Sequence, residues 1–107
     1  MIVGINCGHT VSGSIGSGAV GYLKESDETR VIGYRLMDYL RSRGVTVVDC
    51  TNDYASTVSE NLSRIVAMAN AQPLDLFVSI HFNSGGGRGT EVFTYNAGKQ
   101  ISLVVGL

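Results

Sequence analysis

The residues with the clearest chemical potential in this 107-residue sequence are its two histidines, His9 and His81. Each one follows an apolar segment that is typical of a strand, MIVGINC before the first and LDLFVSI before the second. Neutral imidazole is the commonest metal ligand in proteins, and α/β sheets gather their sites at strand ends. The acidic stretch LKESDETR lies between them and can supply a carboxylate as a third ligand.

Glu25 can join them, because it lies at the start of the first predicted helix. The N-terminus of that helix faces the same sheet edge as the strand ends. Two imidazoles and one carboxylate, with a fourth position open, form the ligand set of a hydrolytic zinc site. On spacing alone the interpretation as polar groups on loops is favoured over the metal site, because the HExxH motif is absent. Cys7 is a further candidate ligand, although a strand that ends near His9 can turn it into the core.

The elements around these residues alternate between strand and helix. Strands are predicted at residues 2–6, 45–49, 74–80 and 90–95, and a helix is predicted at 25–43, with a second one beginning near residue 58. This alternation favours an α/β fold with a mostly parallel sheet, flanking helices and right-handed crossovers. Glycine-rich loops separate the elements, but the spacing of a phosphate-binding loop is missing.

Both helices show apolar side chains at helical spacing. In the first helix the apolar positions are Ile32, Leu36, Met37 and Leu40, and the charged Arg30, Arg35, Asp38 and Arg41 fall on other faces. In the second helix they are Val58, Leu62, Ile65, Val66 and Ala69. Gly44 is the predicted stop of the first helix, and Ser56 or Thr57 is the predicted N-cap of the second.

Composition narrows the classes of function. A chain of 107 residues with a net charge of −1 is at most one domain and lacks the basic footprint of a nucleic-acid or anionic-membrane binder. No stretch approaches the roughly 20 apolar residues of a membrane span. Cys7 and Cys50 fall at strand ends and are predicted to be buried, reduced thiols rather than a disulfide framework.

Three segments together resemble the zinc-dependent N-acetylmuramoyl-L-alanine amidases of the amidase-3 family. They are INCGHT, Glu25 with its helix, and VSIHFNSGGGRGTEVFTY, which is the most specific of the three. The resemblance covers nearly the whole chain and is strongest to clostridial phage endolysins and related autolysins. It implies that His9, Glu25 and His81 bind Zn²⁺, and that peptidoglycan is the partner. The bond cut is then the amide between the lactyl group of muramic acid and the L-alanine of the stem peptide.

The resemblance also concerns three further residues, which are Glu28, Asn83 and Glu91. Glu28 is an alternative to Glu25, because it lies three residues on and on nearly the same helix face. Asn83 matches a position where the family usually has asparagine, and we expect it to orient the site by a hydrogen bond. Glu91 aligns with a separate family position and is not assigned a catalytic role.

The family's catalytic glutamate, which acts as general base and acid, comes from a segment beyond the end of this sequence. Residues 1–107 are therefore expected to be the N-terminal portion of an amidase-3 catalytic domain, a C-terminally truncated one with impaired turnover. The alternative is a non-catalytic module that binds zinc or muropeptide, or that self-associates through an open sheet edge. No signal peptide is predicted, so we expect cytoplasmic synthesis with release to the cell wall during phage lysis, or export within a larger protein.

Overall fold

The computed structural model describes residues 1–11, 24–82 and 92. In chain order these residues form β1 (Ile2–Cys7), α1 (Glu25–Ser42), β2 (Thr46–Asp49), α2 (Val58–Asn70) and β3 (Leu76–Ile80). The strands form a parallel sheet in the order β2-β1-β3. The predicted α/β class with a mostly parallel sheet and flanking helices is confirmed. The predicted strand at 90–95 lies outside the described residues except for Val92, which is exposed and belongs to no regular element.

Strand β1 lies between β2 and β3, and its two faces carry different kinds of side chain. Val3, Ile5 and Cys7 point to one face and form the hydrophobic core with Met37 of α1. Asn6, on the opposite face, is also buried but makes polar contacts. Since side chains alternate along a strand, a single six-residue segment supplies both the core and a buried polar group next to the strand end.

Helix α1 packs on the core with a face that matches the predicted apolar stripe at Met37, Leu36 and Leu40 but not at Ile32. Its buried residues next to the sheet are Thr29, Gly33 and Met37, whereas Ile32 is 44% exposed, so the assignment of Ile32 to the buried stripe was wrong. Gly33 explains the rotation: a Cβ at this position would collide with the Sγ of Cys7, so the helix approaches β1 through its glycine. Leu36 and Leu40 lie at the margin of the core and are half-buried.

The ends of the helices follow their sequence signals. The first turn of α1 carries Glu25, Asp27 and Glu28, whose negative charges suit a helix N-terminus. Gly44, with a φ of 82°, takes the left-handed conformation just after the helix, as predicted. Of the two candidate N-caps for α2, Thr57 is the one used, because its side chain accepts a hydrogen bond from the backbone N–H of Glu60.

Helix α2 faces the other side of the sheet across a groove. Its apolar residues Leu62, Ile65 and Val66 line this groove of about 630 Å³ together with Phe77 of β3 and the two histidines. Leu62 and Val66 are more than half exposed. The predicted helix is thus confirmed and its apolar residues share one side, but Ile65 is the one among them that is buried. Neither described helix combines the length and the hydropathy needed to cross a bilayer.

Both cysteines are free and buried, as predicted. Burial raises the pKa of the Cys7 thiol and of the Cys50 thiol above the usual value, so both remain protonated and unreactive near neutral pH. The thiol of Cys7 lies against α1, on the core face of β1.

We predict that Gly33→Ala destabilises the fold, although alanine normally favours a helix over glycine by about 1 kcal/mol. The added methyl group meets the buried Cys7 thiol, and overpacking of this kind costs about 1–3 kcal/mol. Urea unfolding measures the difference in the free energy of unfolding.

Two further variants make this measurement specific. Asp38→Ala, at an exposed position of the same helix, is expected to change stability by no more than about 0.5 kcal/mol. Cys7→Ala combined with Gly33→Ala is expected to recover part of the loss, because the colliding atom is gone. A Gly33→Ala protein more stable than the parent would contradict the proposed close approach of α1 to β1.

Candidate metal centre

The sheet order brings the two histidines together. Strands β1 and β3 are parallel neighbours, with Cys7 paired to Ile80, so both chains leave the sheet at the same edge. The backbone N–H of Gly8 extends this pairing by donating to the carbonyl oxygen of Ile80 over 2.9 Å. As a result, His9 Nε2 lies 3.3 Å from His81 Nδ1.

Glu25 completes the cluster from the first turn of α1. Its carboxylate is 7% exposed, and its Oε1 atom lies 3.1 Å from His9 Nε2 and 3.8 Å from His81 Nδ1. The same oxygen accepts a hydrogen bond of 2.9 Å from the backbone N–H of Phe82. One ligand atom from each of the three residues lies within 4.8 Å of the others, a grouping that could hold a metal ion.

The other candidate ligands do not join this cluster. Glu28 is described by the structure but is not part of the group, and the thiol of Cys7 faces the core against α1. Asn83 and Glu91 lie outside the described residues. Of the alternatives that the sequence leaves open, the structure brings Glu25 to the histidines and leaves Glu28 and Cys7 apart from them.

Gly8 allows the close approach of His81. A Cβ at Gly8 would lie 2.6 Å from the Nδ1 and Cε1 atoms of His81 and 2.5 Å from the carbonyl oxygen of Ile80. Such distances are far shorter than van der Waals contact, so any side chain here would displace the imidazole. The glycine between Cys7 and His9 therefore has a structural reason at the site itself.

A chain of hydrogen bonds fixes the tautomer of His81. The amide nitrogen of Asn6 donates to the carbonyl oxygen of Cys50 over 3.0 Å, which leaves its Oδ1 to accept from Ser79 Oγ over 2.6 Å. Since the hydroxyl proton of Ser79 is used in that bond, its oxygen accepts from His81 Nε2, 2.9 Å away. This pattern assigns the proton of His81 to Nε2, so the lone pair of Nδ1 faces His9 and Glu25.

Burial, and then the charge of the neighbouring His9, lower the pKa of His81, while Glu25 offsets part of the shift. The lowered pKa keeps this imidazole neutral at neutral pH, and neutral imidazole is the form that binds metals. The electrostatics of the cluster therefore favour a ligand state without a competing proton on Nδ1.

Sequence reasoning missed the polar residues that support the cluster. Ser79 lies two residues before His81, and the alternation of a strand would have placed it on the same side. Asn6 occupies the equivalent place in β1, opposite Ser79 in the parallel register. Arg30 was expected on an outer face of α1, but it turns inward and its side chain is only 14% exposed. That expectation was wrong because the charges and carbonyl groups around the strand ends offer it several partners.

The sequence is similar to that of known amidases over most of its length. The family model for N-acetylmuramoyl-L-alanine amidase, Amidase_3, matches residues 3–104. The germination-specific N-acetylmuramoyl-L-alanine amidase of Bacillus subtilis (strain 168) is 29% identical over 94 residues, which cover 78% of this chain and 39% of that protein. The endolysin of Bacillus phage SPP1 is 35% identical over 95 residues, covering 88% and 34% of the two chains.

A third relative is the uncharacterised protein YqiI of Bacillus subtilis (strain 168), which is 39% identical over 93 residues and is matched over 83% of this chain and 42% of its own length. No solved structure matches the chain significantly. The chain thus spans roughly two fifths or less of the length of these curated relatives. The family model, in contrast, covers almost all of it, and the chain belongs to the amidase-3 family of N-acetylmuramoyl-L-alanine amidases.

Proposed function

We propose that this chain is the zinc-binding part of a peptidoglycan hydrolase, one that cleaves the amide between N-acetylmuramic acid and L-alanine. The observation that carries the proposal is the convergence of His9 Nε2, His81 Nδ1 and Glu25 Oε1 within 3.8 Å of one another. Membership of the amidase-3 family supports the reaction class and the substrate. Release to the cell wall during phage lysis is the proposed route to that substrate, and the likeness to an endolysin supports it.

The donor set fits zinc. Zinc is bound by imidazole nitrogen and carboxylate oxygen, and catalytic sites use three protein ligands with one position left open. The lone pair of His81 Nδ1 and the buried carboxylate of Glu25 face one another at 3.8 Å. A cation bound between them would offset the electrostatic repulsion of these two electron-rich groups. Bound zinc would supply a water whose pKa is lowered to about 7 and would polarise the scissile carbonyl.

Other residues orient the ligands and leave access for a substrate. Glu25 is held by the backbone N–H of Phe82, so its carboxylate is oriented from outside the ligand set. Ser79 holds the imidazole of His81 through Nε2. The groove beside the histidines, lined by α2 and β3, leaves the cluster open to a substrate.

A general acid–base is a separate requirement. Within the part of the chain that the structure describes, Glu25 is the acidic member of the cluster, and we assign it to the metal. Loss of a positioned proton-transfer group slows a reaction by about 10²- to 10⁴-fold, so full turnover requires such a group in addition to the zinc ligands.

The second candidate function is that of a non-catalytic module. Such a module binds zinc or muropeptide without turnover, or associates with a second copy of itself. The observation that favours it is the composition of the described cluster, in which Glu25 is the carboxylate and is assigned to the metal. Zinc binding without release of amino groups from peptidoglycan would support this candidate, and light scattering measures the self-association.

We expect the purified protein to release L-alanine amino groups from cell-wall peptidoglycan. A chelator and the substitution His81→Ala should each abolish the release, because both remove the metal from its ligand set. Zinc should restore the chelated parent but not the variant. Labelling of the new amino groups in digested cell wall measures the reaction.

Gln72→Ala is the matched control, since this residue is exposed in the turn after α2 and should leave the rate unchanged. If digestion of the wall survives the chelator, the zinc mechanism is wrong.

We also expect Ser79→Ala to weaken zinc binding by about 10- to 100-fold, the usual effect of removing a group that orients a metal-binding histidine. The imidazole of His81 loses its partner on Nε2 and is no longer held in one tautomer. Competition with a chromophoric chelator measures the affinity. Ser63→Ala on the exposed side of α2 serves as the control, and equal affinities of the two variants would rule out the orienting role of Ser79.

A further inference from the structure

The loop that carries His9 has an unusual backbone. His9 has a φ of 65°, and among the described residues it is the only one other than glycine in the left-handed region. This region is disfavoured for residues with a side chain, and such a conformation persists only where the surroundings hold it. The same conformation directs His9 Nε2 to Glu25 Oε1 over 3.1 Å.

Arg30 holds this backbone from α1. Its guanidinium donates to the carbonyl oxygen of His9 over 3.0 Å and to the carbonyl oxygen of Gly8 over 3.3 Å. Thr29, the residue before it, donates to the same Gly8 oxygen over 3.0 Å. Both carbonyls that flank the left-handed residue are therefore fixed by side chains of one helical turn.

Asp53 holds the guanidinium in turn. Its Oδ1 accepts from Arg30 Nη2 over 2.9 Å and from Nε over 3.1 Å, while its own carbonyl oxygen accepts from the backbone N–H of Val11 over 2.9 Å. The chain that follows β2 is thereby tied to both ends of the segment 9–11. Charge-assisted bonds of this kind are about twice as strong as neutral ones, and the planar guanidinium fixes their directions.

We infer that Arg30, anchored by Asp53, is a positioning residue that holds His9 in its left-handed conformation and thereby sets the affinity and geometry of metal binding. The inference rests on the proposed zinc-binding function. Arg30 does not touch the metal ligand atoms. It acts through the backbone of the loop, as a preorganising contact whose energy is used to hold a strained ligand in place.

The test compares Arg30→Met, which keeps the length of the side chain but removes its donors, with the parent chain. Arg30→Met should bind zinc about 10- to 100-fold more weakly. Its cobalt-loaded form should show a shifted visible absorption spectrum, because the geometry of the His9 ligand changes. Arg30→Lys should recover only part of the affinity, since an ammonium group cannot contact both carbonyls and Asp53 as the guanidinium does.

Arg64→Met is the control, because Arg64 also pairs with a carboxylate, Glu60, but on the exposed surface of α2. It should leave zinc affinity and the cobalt spectrum unchanged. Thermal unfolding of the metal-free proteins separates a loss of fold from a loss of positioning. If Arg30→Met does not fold, Asp53→Asn carries the test, and a smaller loss of affinity in the same direction is expected.

The inference is overturned if the folded Arg30→Met protein, or Asp53→Asn in its place, binds zinc within twofold of the parent and gives the same cobalt spectrum. A parent that binds zinc no more tightly than His81→Ala has a different meaning. That result would contradict the proposed function itself. If the parent binds zinc normally and Arg30→Met binds it equally well, only the role of Arg30 is contradicted.

Discussion

The parallel pairing of β1 with β3 is the interaction on which the rest of the site depends. The two strands are distant in sequence, and α1, β2 and α2 lie between them along the chain. Their register pairs Cys7 with Ile80, so the residues that follow both strands leave at one edge. With β2 on the other side of β1, the strand order reverses between β1 and β3, and ligands of open α/β sheets bind at such a reversal.

Around this edge, the supporting elements contribute polar contacts that are partly buried. Asn6 and Ser79 link β1 to β3 on the face of the sheet away from the hydrophobic core. Arg30 and Asp53 join α1 to the chain after β2. None of the buried side-chain polar atoms in the described part of the chain is without a hydrogen-bond partner. Because unpaired polar groups are costly at low dielectric, this pairing restrains the histidines more tightly than apolar packing alone.

Much of this architecture could be predicted from the sequence, because its signals are local. The apolar segments before His9 and His81 predicted β1 and β3. The predicted bounds of β1, α1, β2 and β3 differ from the observed ones by two residues at most. The position of Glu25 at the start of α1 followed from helical periodicity. The order of the strands did not follow from local signals, since it is decided by the side of β1 on which each crossover returns.

The errors come from contacts between elements. The rotation of α1 depends on the close approach of Gly33 to Cys7, and no periodicity within the helix reveals that contact. The inward turn of Arg30 depends on carbonyl groups exposed by the loop after β1. An arginine on a helix is usually solvated, so the pattern of charges alone favoured the outer face. Tertiary partners decided both positions.

The central claim is that two imidazoles and one carboxylate, and no thiolate, form the ligand set. X-ray absorption at the zinc edge of the metal-loaded chain tests it most directly, because nitrogen or oxygen scatterers lie at about 2.0–2.2 Å and sulfur at about 2.3 Å. The geometry of His9, Glu25 and His81 predicts a shell of light atoms with the multiple-scattering signature of two imidazoles. A sulfur scatterer, or a shell without imidazole, would contradict it.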